Sequence, residues 1–229
     1  MTARVVCETT ELPTVAAAKI ADALVRAITE RGHAAIALAG GTTPRAVYQE
    51  LAKSVGINWA ALDVYFGDER AVPANHPDSN YRMAEEALLG RVPFTAERIH
   101  RMRAESPDRA EAAREYDALL PDALDVIVLG IGEDGHTASL FPGSAALSEL
   151  KRRVVPVIGP KPPPERLTIT PPVIQAAREC LMLASGAGKA GPVARALLGP
   201  SDPLSCPSVL ARQGIWILDH AAAGELNRL

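Results

Sequence analysis

An acidic residue and a histidine stand two positions apart in a glycine-rich loop that follows an apolar segment. The run at residues 124–143, LDVIVLGIGEDGHTASLFPG, carries Asp134 and His136. A neutral imidazole is the natural general base near pH 7, and a neighbouring carboxylate can orient its ring. The apolar segment has the composition of a buried strand, and strand ends are where α/β sheets bind ligands. The pattern therefore predicts a proton-transfer site, and the alternative is a surface turn whose histidine has no role.

The same loop contains the spacing G-x-G-x-x-G, which also occurs in dinucleotide-binding turns. Such a turn needs a long helix that begins at the third glycine, whereas the Pro-Gly pair at 142–143 closes this segment within about two turns. Glu133 and Asp134 would also repel a diphosphate. The sequence therefore argues against a dinucleotide cofactor.

A second loop follows the predicted strand at residues 34–39 and has the composition of an anion site. Its residues are Gly40, Gly41, Thr42, Thr43 and Pro44. The glycines allow close approach of the backbone, a threonine can cap the next helix, and a proline suits the first helical turn. Exposed N–H groups at a helix N-terminus favour an anion. The alternative is a capped turn without a ligand.

A third loop places Asp68, Glu69 and Arg70 directly after the predicted strand at residues 62–66. An arginine at the end of a buried strand suits a phosphate or the negative charge that develops on a carbonyl oxygen during reaction. The alternative is a set of solvated loop charges.

A fourth loop, SGAGK at residues 185–189, again lies between a predicted strand and a predicted helix. Its spacing is superficially that of a P-loop, but Leu183 replaces the required glycine and Ala190 replaces the hydroxyl that would bind magnesium. We therefore expect no nucleotide here. Lys189 remains a candidate point charge for a simple phosphate, against the alternative of a solvated helix start.

Composition narrows the class of protein. With 229 residues, 48% of them hydrophobic, the chain can bury one substantial core, so we expect one domain over residues 1–229. A net charge of −3 argues against nucleic acid or an anionic membrane as a partner. The cysteines at positions 7, 180 and 206 fit neither a disulfide framework nor a metal site. We expect a cytoplasmic protein without metal or cofactor, and the oligomeric state stays open between a monomer and a small homo-oligomer.

Short β-branched runs alternate with longer helical patterns, which predicts an α/β fold. Strands are expected at 4–8, 34–39, 62–66, 125–129, 154–158, 167–170, 181–185 and 214–218, and helices at 12–31, 44–53, 79–89, 106–120, 171–177 and 190–198. The alternation favours a mostly parallel sheet with helices on both faces. The carboxyl ends of parallel strands share one edge, where the four loops would meet.

Taken together, the four loops resemble those of the 6-phosphogluconolactonases, whose superfamily includes the glucosamine-6-phosphate deaminases. The resemblance covers nearly the whole chain and rests on LAGGTTPRAVY from position 38, VYFGDERAVPANHPDSNYRMAEEALL from 64, GIGEDGHTASLFPG from 130 and SGAGKA from 185. It implies a Rossmann-like fold and hydrolysis of 6-phosphoglucono-δ-lactone to 6-phosphogluconate without a metal.

The deaminases are the rival, because they share three of these loops. Their pattern has a glutamate, which helps to open the sugar ring, where this sequence has Phe141, and a tyrosine where it has Arg70. Phenylalanine cannot relay a proton, whereas a guanidinium suits a carbonyl that becomes an oxyanion. Both departures favour the lactonase. A sugar-phosphate sensor of the same fold is a third alternative, but no DNA-binding segment is visible.

The resemblance also assigns roles. His136 would activate water, Asp134 would hold its ring, and Arg70 would face C1 or the phosphate. The expected substrate-binding residues are Gly40, Gly41, Thr42, Thr43, Arg45, Asp68, Gly135 and Lys189. The phosphate is expected near the Gly-Gly-Thr-Thr amides, Lys189 and Arg45, while Asp68 is expected either to touch the substrate or to organise its own loop.

Overall fold

A computed structural model describes residues 3–226 of the chain. Its strands are β1 (Ala3–Cys7), β2 (Ala34–Leu38), β3 (Leu62–Phe66), β4 (Asp68–Arg70), β5 (Val126–Gly130), β6 (Val154–Ile158), β7 (Glu165–Ile169), β8 (Glu179–Ala184) and β9 (Ile215–Asp219). Its α-helices are α1 (Leu12–Arg31), α2 (Thr42–Leu51), α3 (Asn80–Ala87), α4 (Arg109–Leu119), α5 (Pro171–Ala176) and α6 (Ala190–Leu198). Short 3₁₀ turns lie between them.

Six strands form one parallel sheet in the order β1-β9-β8-β5-β2-β3. The central strands are apolar on both faces, as parallel strands covered by helices must be, and all five residues of β2 are buried. The predicted α/β architecture with a mostly parallel sheet is therefore confirmed.

Helices cover both faces of this sheet, as predicted. Successive residues of β5 point to opposite sides, so Val126 and Val128 pack in a cluster with α1, α2 and α3, whereas Ile127 and Leu129 pack in a cluster with α4 and α6. Among residues 3–226, no helix combines the length and apolar character that crossing a bilayer requires.

A second sheet differs from the expectation. Strands β4, β7 and β6 form a separate antiparallel sheet, although β6 and β7 were expected to extend the parallel one and residues 68–70 to form a loop. The link at 159–164 between β6 and β7 is too short for a parallel crossover, which needs about a dozen residues, so the two strands form a hairpin. The chain enters this sheet directly from β3 through Gly67, whose N–H donates to the carbonyl of Leu38.

Candidate active site

A cavity of about 200 Å³ opens at the carboxyl edge of the parallel sheet, where the four predicted loops meet. It is lined by Ala39, Gly40, Gly41, Asp68, Arg70, Gly130, Ile131, Gly132, His136, Ala138, Arg166 and Lys189. Six predicted site residues are thus brought together, namely Gly40, Gly41, Asp68, Arg70, His136 and Lys189. The convergence depends on the parallel order of β2, β3, β5 and β8, whose carboxyl ends precede these loops.

The turn after β5 holds His136 against Asp134. The Asp134 Oδ1 atom accepts the backbone N–H of His136 at 3.0 Å and lies 2.6 Å from the ring Nδ1. An ionised carboxylate can only accept, so Nδ1 carries a proton in this contact, and in the neutral ring the lone pair is on Nε2. Burial would raise the pKa of Asp134, but its hydrogen bonds and proximity to His136 outweigh that effect and lower it. The pair therefore has the geometry of a general base and the residue that orients it.

Glycine is required at two positions of this turn. A Cβ atom on Gly132 would lie 2.0 Å from Nδ1 of His136, so the ring lies where a side chain would otherwise be. Gly135 has φ = +91°, a conformation that disfavours side chains. The carbonyl of Gly135 accepts both the backbone N–H and the hydroxyl of buried Ser208, at 3.0 and 2.7 Å. Gly135 therefore maintains the conformation of the turn and does not line the cavity.

The Gly-Gly-Thr-Thr loop presents backbone amides at the N-terminus of α2. The Tyr48 hydroxyl fixes the start of this loop, because it accepts the N–H of Ala39 at 2.8 Å and donates to its carbonyl at 3.0 Å. A Cβ atom on Gly40 would lie 1.9 Å from the amide oxygen of Asn80. Gly41 has φ = +107°, so both glycines are needed for this path of the chain.

Thr42, Thr43 and Arg45 do not line the cavity. The threonines belong to the first turn of α2, whose N–H groups face the same region. Arg45 lies further along the helix, half-exposed, and pairs with Glu86 of α3 at 3.1 Å. The structure therefore places the start of α2 beside the cavity and gives the Arg45 side chain no part in its lining.

Arg166 is a site residue that the sequence analysis missed. It lies in β7 directly opposite Arg70 in β4, and its side chain is 7% exposed. Its guanidinium donates to the carbonyl of Pro163 at 3.1 Å and to Ser139 Oγ at 3.3 Å. Burial, opposed by Asp68 and assisted by Arg70, lowers the pKa of Arg166. Arg166 directly precedes the strand predicted at 167–170, and its place in the site depends on the pairing of β7 with β4, which the sequence pattern does not give.

The two opposed arginines create a concentration of positive charge. Like charges directly across a strand pair are destabilising, and here one carboxylate, Asp68, partly offsets them. The Arg70 Nη1 atom donates to the carbonyl of Asp78 at 2.7 Å, whereas its buried Nε has no partner among the described residues. This part of the cavity is therefore suited to an anion or a developing oxyanion.

Asp68 is held as an acceptor. It is 6% exposed, and its oxygens accept from Ser139 Oγ at 2.5 Å and from Asn80 Nδ2 at 3.0 Å. Glu69 points away and accepts N–H groups at the N-terminus of α3, including that of Tyr81 at 2.8 Å. Burial raises the pKa of Glu69 in spite of these hydrogen bonds. Neither Asn80 nor Ser139 was predicted, because each acts through a partner distant in sequence.

A larger cavity of about 540 Å³ adjoins the first on the side of the β6–β7 hairpin. It is lined by Arg70, Glu133, Asp134, His136, Phe141, Pro160, Lys161, Pro162 and Arg166. The Phe141 ring packs beside His136, with the ring centroids 4.8 Å apart, and the guanidinium carbon of Arg166 lies 5.4 Å from the centroid of Phe141. Because Arg70, His136 and Arg166 line both cavities, one ligand can span them with its reacting atom beside the imidazole.

Lys189 lines the smaller cavity but not the larger one, and lies in the 3₁₀ turn that precedes α6. Its ammonium group forms no ion pair within residues 3–226, so it can interact with a bound anion. Over the same residues, no three His, Cys, Asp or Glu side chains are grouped so as to hold a metal ion.

The family model described as glucosamine-6-phosphate isomerases/6-phosphogluconolactonase matches residues 8–216. The chain belongs to this family. It is 39% identical to a 6-phosphogluconolactonase of Streptomyces coelicolor over 93% of this chain and 90% of the relative. Among solved structures, a 6-phosphogluconolactonase from Trypanosoma brucei is 30% identical, with a TM-score of 0.88 and 99% of each chain covered. A monomeric glucosamine-6-phosphate deaminase is 22% identical, with a TM-score of 0.86 over 98% of this chain and all of that one, and shares the fold.

Proposed function

We propose that this protein hydrolyses 6-phospho-D-glucono-1,5-lactone to 6-phospho-D-gluconate, the lactone-opening step of the oxidative pentose phosphate pathway. The observation that carries the proposal is the Asp134-held imidazole of His136 at the junction of two cavities, of which only the smaller is lined by Lys189 and by the glycines of the β2–α2 loop. Membership of the family and 39% identity to a 6-phosphogluconolactonase support the same reaction.

In this proposal the phosphate lies in the smaller cavity. Lys189 supplies a charge that no carboxylate within residues 3–226 pairs with, and the N-terminus of α2 at Gly41 supplies amides and a positive dipole end. The sugar ring then extends toward the larger cavity beside Phe141. Binding energy at the phosphate holds the lactone against the base, which converts a bimolecular encounter into a positioned reaction.

The chemical step needs one base and one oxyanion stabiliser. The Nε2 atom of His136 takes a proton from water, and the resulting hydroxide attacks C1 of the lactone. Arg70, with Arg166 beside it, stabilises the negative charge that develops on the carbonyl oxygen. The tetrahedral intermediate then expels the ring oxygen, which takes the proton back from the imidazolium. Asp134 keeps Nδ1 protonated and stabilises the imidazolium between these two transfers.

Asp68 has an organising role in this proposal. Its two oxygens accept hydrogen bonds from Ser139 and Asn80, which hold the carboxylate in place near Arg166. It also lowers the repulsion between the two guanidiniums, which leaves both close to the reacting carbonyl.

We propose further that the whole chain acts as one domain in the cytoplasm, where free thiols are stable. The two hydrophobic clusters share the six-stranded sheet, and none of the three cysteines forms a disulfide.

The test is the rate of hydrolysis of freshly generated lactone, measured against its spontaneous hydrolysis. The proposal predicts an enzyme-dependent rate that is proportional to protein concentration. Release of ammonia from glucosamine 6-phosphate would instead indicate a deaminase, for which this site lacks an acid at Phe141. Binding of the lactone without turnover would indicate a sensor.

A further inference from the structure

Asp219, the last residue of β9, lies behind the loop that carries Lys189 and does not line the cavity. It is 1% exposed. Its Oδ2 atom accepts from Ser185 Oγ at 2.6 Å, from Thr9 Oγ1 at 3.0 Å and from the N–H of Gly186 at 3.0 Å. Its Oδ1 atom accepts the N–H of Ala222 at 2.7 Å and also contacts the N–H of Gly186, at 3.1 Å. One buried carboxylate therefore joins three segments of the chain at the edge of the site.

These contacts determine the path of the loop before Lys189. Gly186 has φ = +96°, its N–H is held by Asp219, and its carbonyl accepts the N–H of Lys189 at 3.0 Å. The backbone is thus restrained on both sides of the peptide that leads into the lysine. Because Ser185 is held by the same carboxylate, a change at Asp219 would release the strand end and the turn together.

The carboxylate is suited to this role because it is ionised. Burial alone would raise the pKa of Asp219, but the hydrogen bonds from Ser185, Ala222, Gly186 and Thr9 outweigh burial and lower it. A charged acceptor forms stronger hydrogen bonds than a neutral one, so it restrains the loop more firmly.

We propose that Asp219 is a positioning residue for the anion-binding loop, fixing Ser185 and Gly186 so that Lys189 meets the phosphate of the substrate. The identity of that anion rests on the proposed function. Asp219 touches neither the substrate nor His136, so its effect is expected on binding and not on the chemical step.

The test compares Asp219→Asn with Asp125→Asn. Asp125 is a matched control. It is also a buried carboxylate, 7% exposed, that accepts a backbone N–H, from Ala35 at 2.8 Å, but it lies at the amino edge of the sheet, away from the cavity. In each variant the side chain keeps its size while one acceptor oxygen becomes a donor group. For Asp219→Asn we expect the KM for the lactone to rise about 10-fold and kcat to stay within about 3-fold, whereas Asp125→Asn leaves both unchanged.

Hydrogen exchange gives a readout that does not depend on turnover. Asp219→Asn should speed the exchange of amides at residues 185–190 while β5 stays protected, and Asp125→Asn should leave residues 185–190 unchanged. The affinity for 6-phosphogluconate, measured by calorimetry, should fall about 10-fold in parallel. If the wild type opened no lactone, the proposed function would fail, while exchange and calorimetry would still test the role of Asp219.

An unchanged KM and unchanged exchange at residues 185–190 in folded Asp219→Asn would overturn the proposal. So would equal changes in both variants, since these would reflect general stability. If Asp219→Asn does not fold, Ser185→Ala removes only the 2.6 Å hydrogen bond. We then expect a smaller rise in KM, about 2- to 5-fold, at constant kcat, and an unchanged KM would count against the proposal.

Discussion

The amino and carboxyl edges of the parallel sheet differ in how their charged side chains are paired. At the amino edge, the buried carboxylate of Asp125 accepts the N–H of Ala35 and a guanidinium N–H of Arg31, both at 2.8 Å, and lies 3.3 Å from Arg178. At the carboxyl edge, Arg70 keeps a buried Nε without a partner among the described residues, and Lys189 extends into a cavity. Arg31 is thus paired at the amino edge, whereas Arg70 and Lys189 keep donor groups available to a ligand at the carboxyl edge.

This difference separates a structural role from a binding role. A buried donor without an acceptor costs about 1 to 3 kcal/mol, and a bound anion that accepts from the Arg70 Nε would offset this cost. At the amino edge Asp125 supplies an acceptor for the Ala35 N–H and for Arg31. Substitutions there should change stability, whereas substitutions at the carboxyl edge should change activity.

His136→Ala should have the largest effect on activity. Removing the base should lower kcat at least about 10²-fold, because a positioned general base contributes about 10²- to 10⁴-fold. Steady-state kinetics with fresh lactone measures the change. Affinity for 6-phosphogluconate should stay near the wild-type value, and near-normal turnover would remove His136 from this role.

Asp134→Asn should have the next largest effect. The amide retains an acceptor oxygen but lacks the charge that stabilises the imidazolium, so kcat should fall about 10- to 10²-fold. The pKa of Asp134 is lowered in the folded protein, so its contribution to stability is present above the usual aspartate range and is lost as the pH falls through the lowered value. The difference in melting temperature between wild type and variant should therefore shrink toward strongly acidic pH, and a constant difference would contradict this origin.

Lys189→Ala should act mainly on binding. Contact with the phosphate is largely shared by the ground and transition states, so KM should rise about 10-fold with a smaller change in kcat. Arg45→Ala is the matched control, since Arg45 pairs with Glu86 outside the cavity, and we expect near-normal kinetics. A loss of turnover at constant KM in Lys189→Ala would contradict the placement of the phosphate.

Asp125→Ala should leave the activity of the folded enzyme unchanged. It removes a buried partner of Arg31 and of the Ala35 N–H, so the free energy of unfolding should fall by about 3 kcal/mol. Chemical denaturation and kinetics on the same sample check both expectations. A change in kcat without a change in stability would contradict the assignment of a structural role to the amino edge and a binding role to the carboxyl edge.

The sequence was most informative where chemistry and local structure share one segment. Asp134 and His136 are two residues apart and contact each other within a single turn, so their pairing follows from short-range geometry. The turn between β2 and α2 could be predicted in the same way, because its glycines and proline constrain the backbone conformation locally.

Residues that act through long-range pairing could not be located in this way. Arg166 reaches the site only because β7 pairs with β4, and Asp219 acts on a loop 34 residues away in sequence. Arg45 was the opposite case, since it adjoins the Gly-Gly-Thr-Thr loop in sequence but its side chain turns toward Glu86. Proximity in sequence predicts a contact only when the backbone direction between the residues is also known.

A crystal structure with bound 6-phosphogluconate tests the central claim most directly. We expect the phosphate between Lys189 and the N-terminus of α2, with the product carboxylate within about 3 to 4 Å of Nε2 of His136. A phosphate at the opposite end of the two cavities, or a carboxylate out of reach of the imidazole, would contradict it.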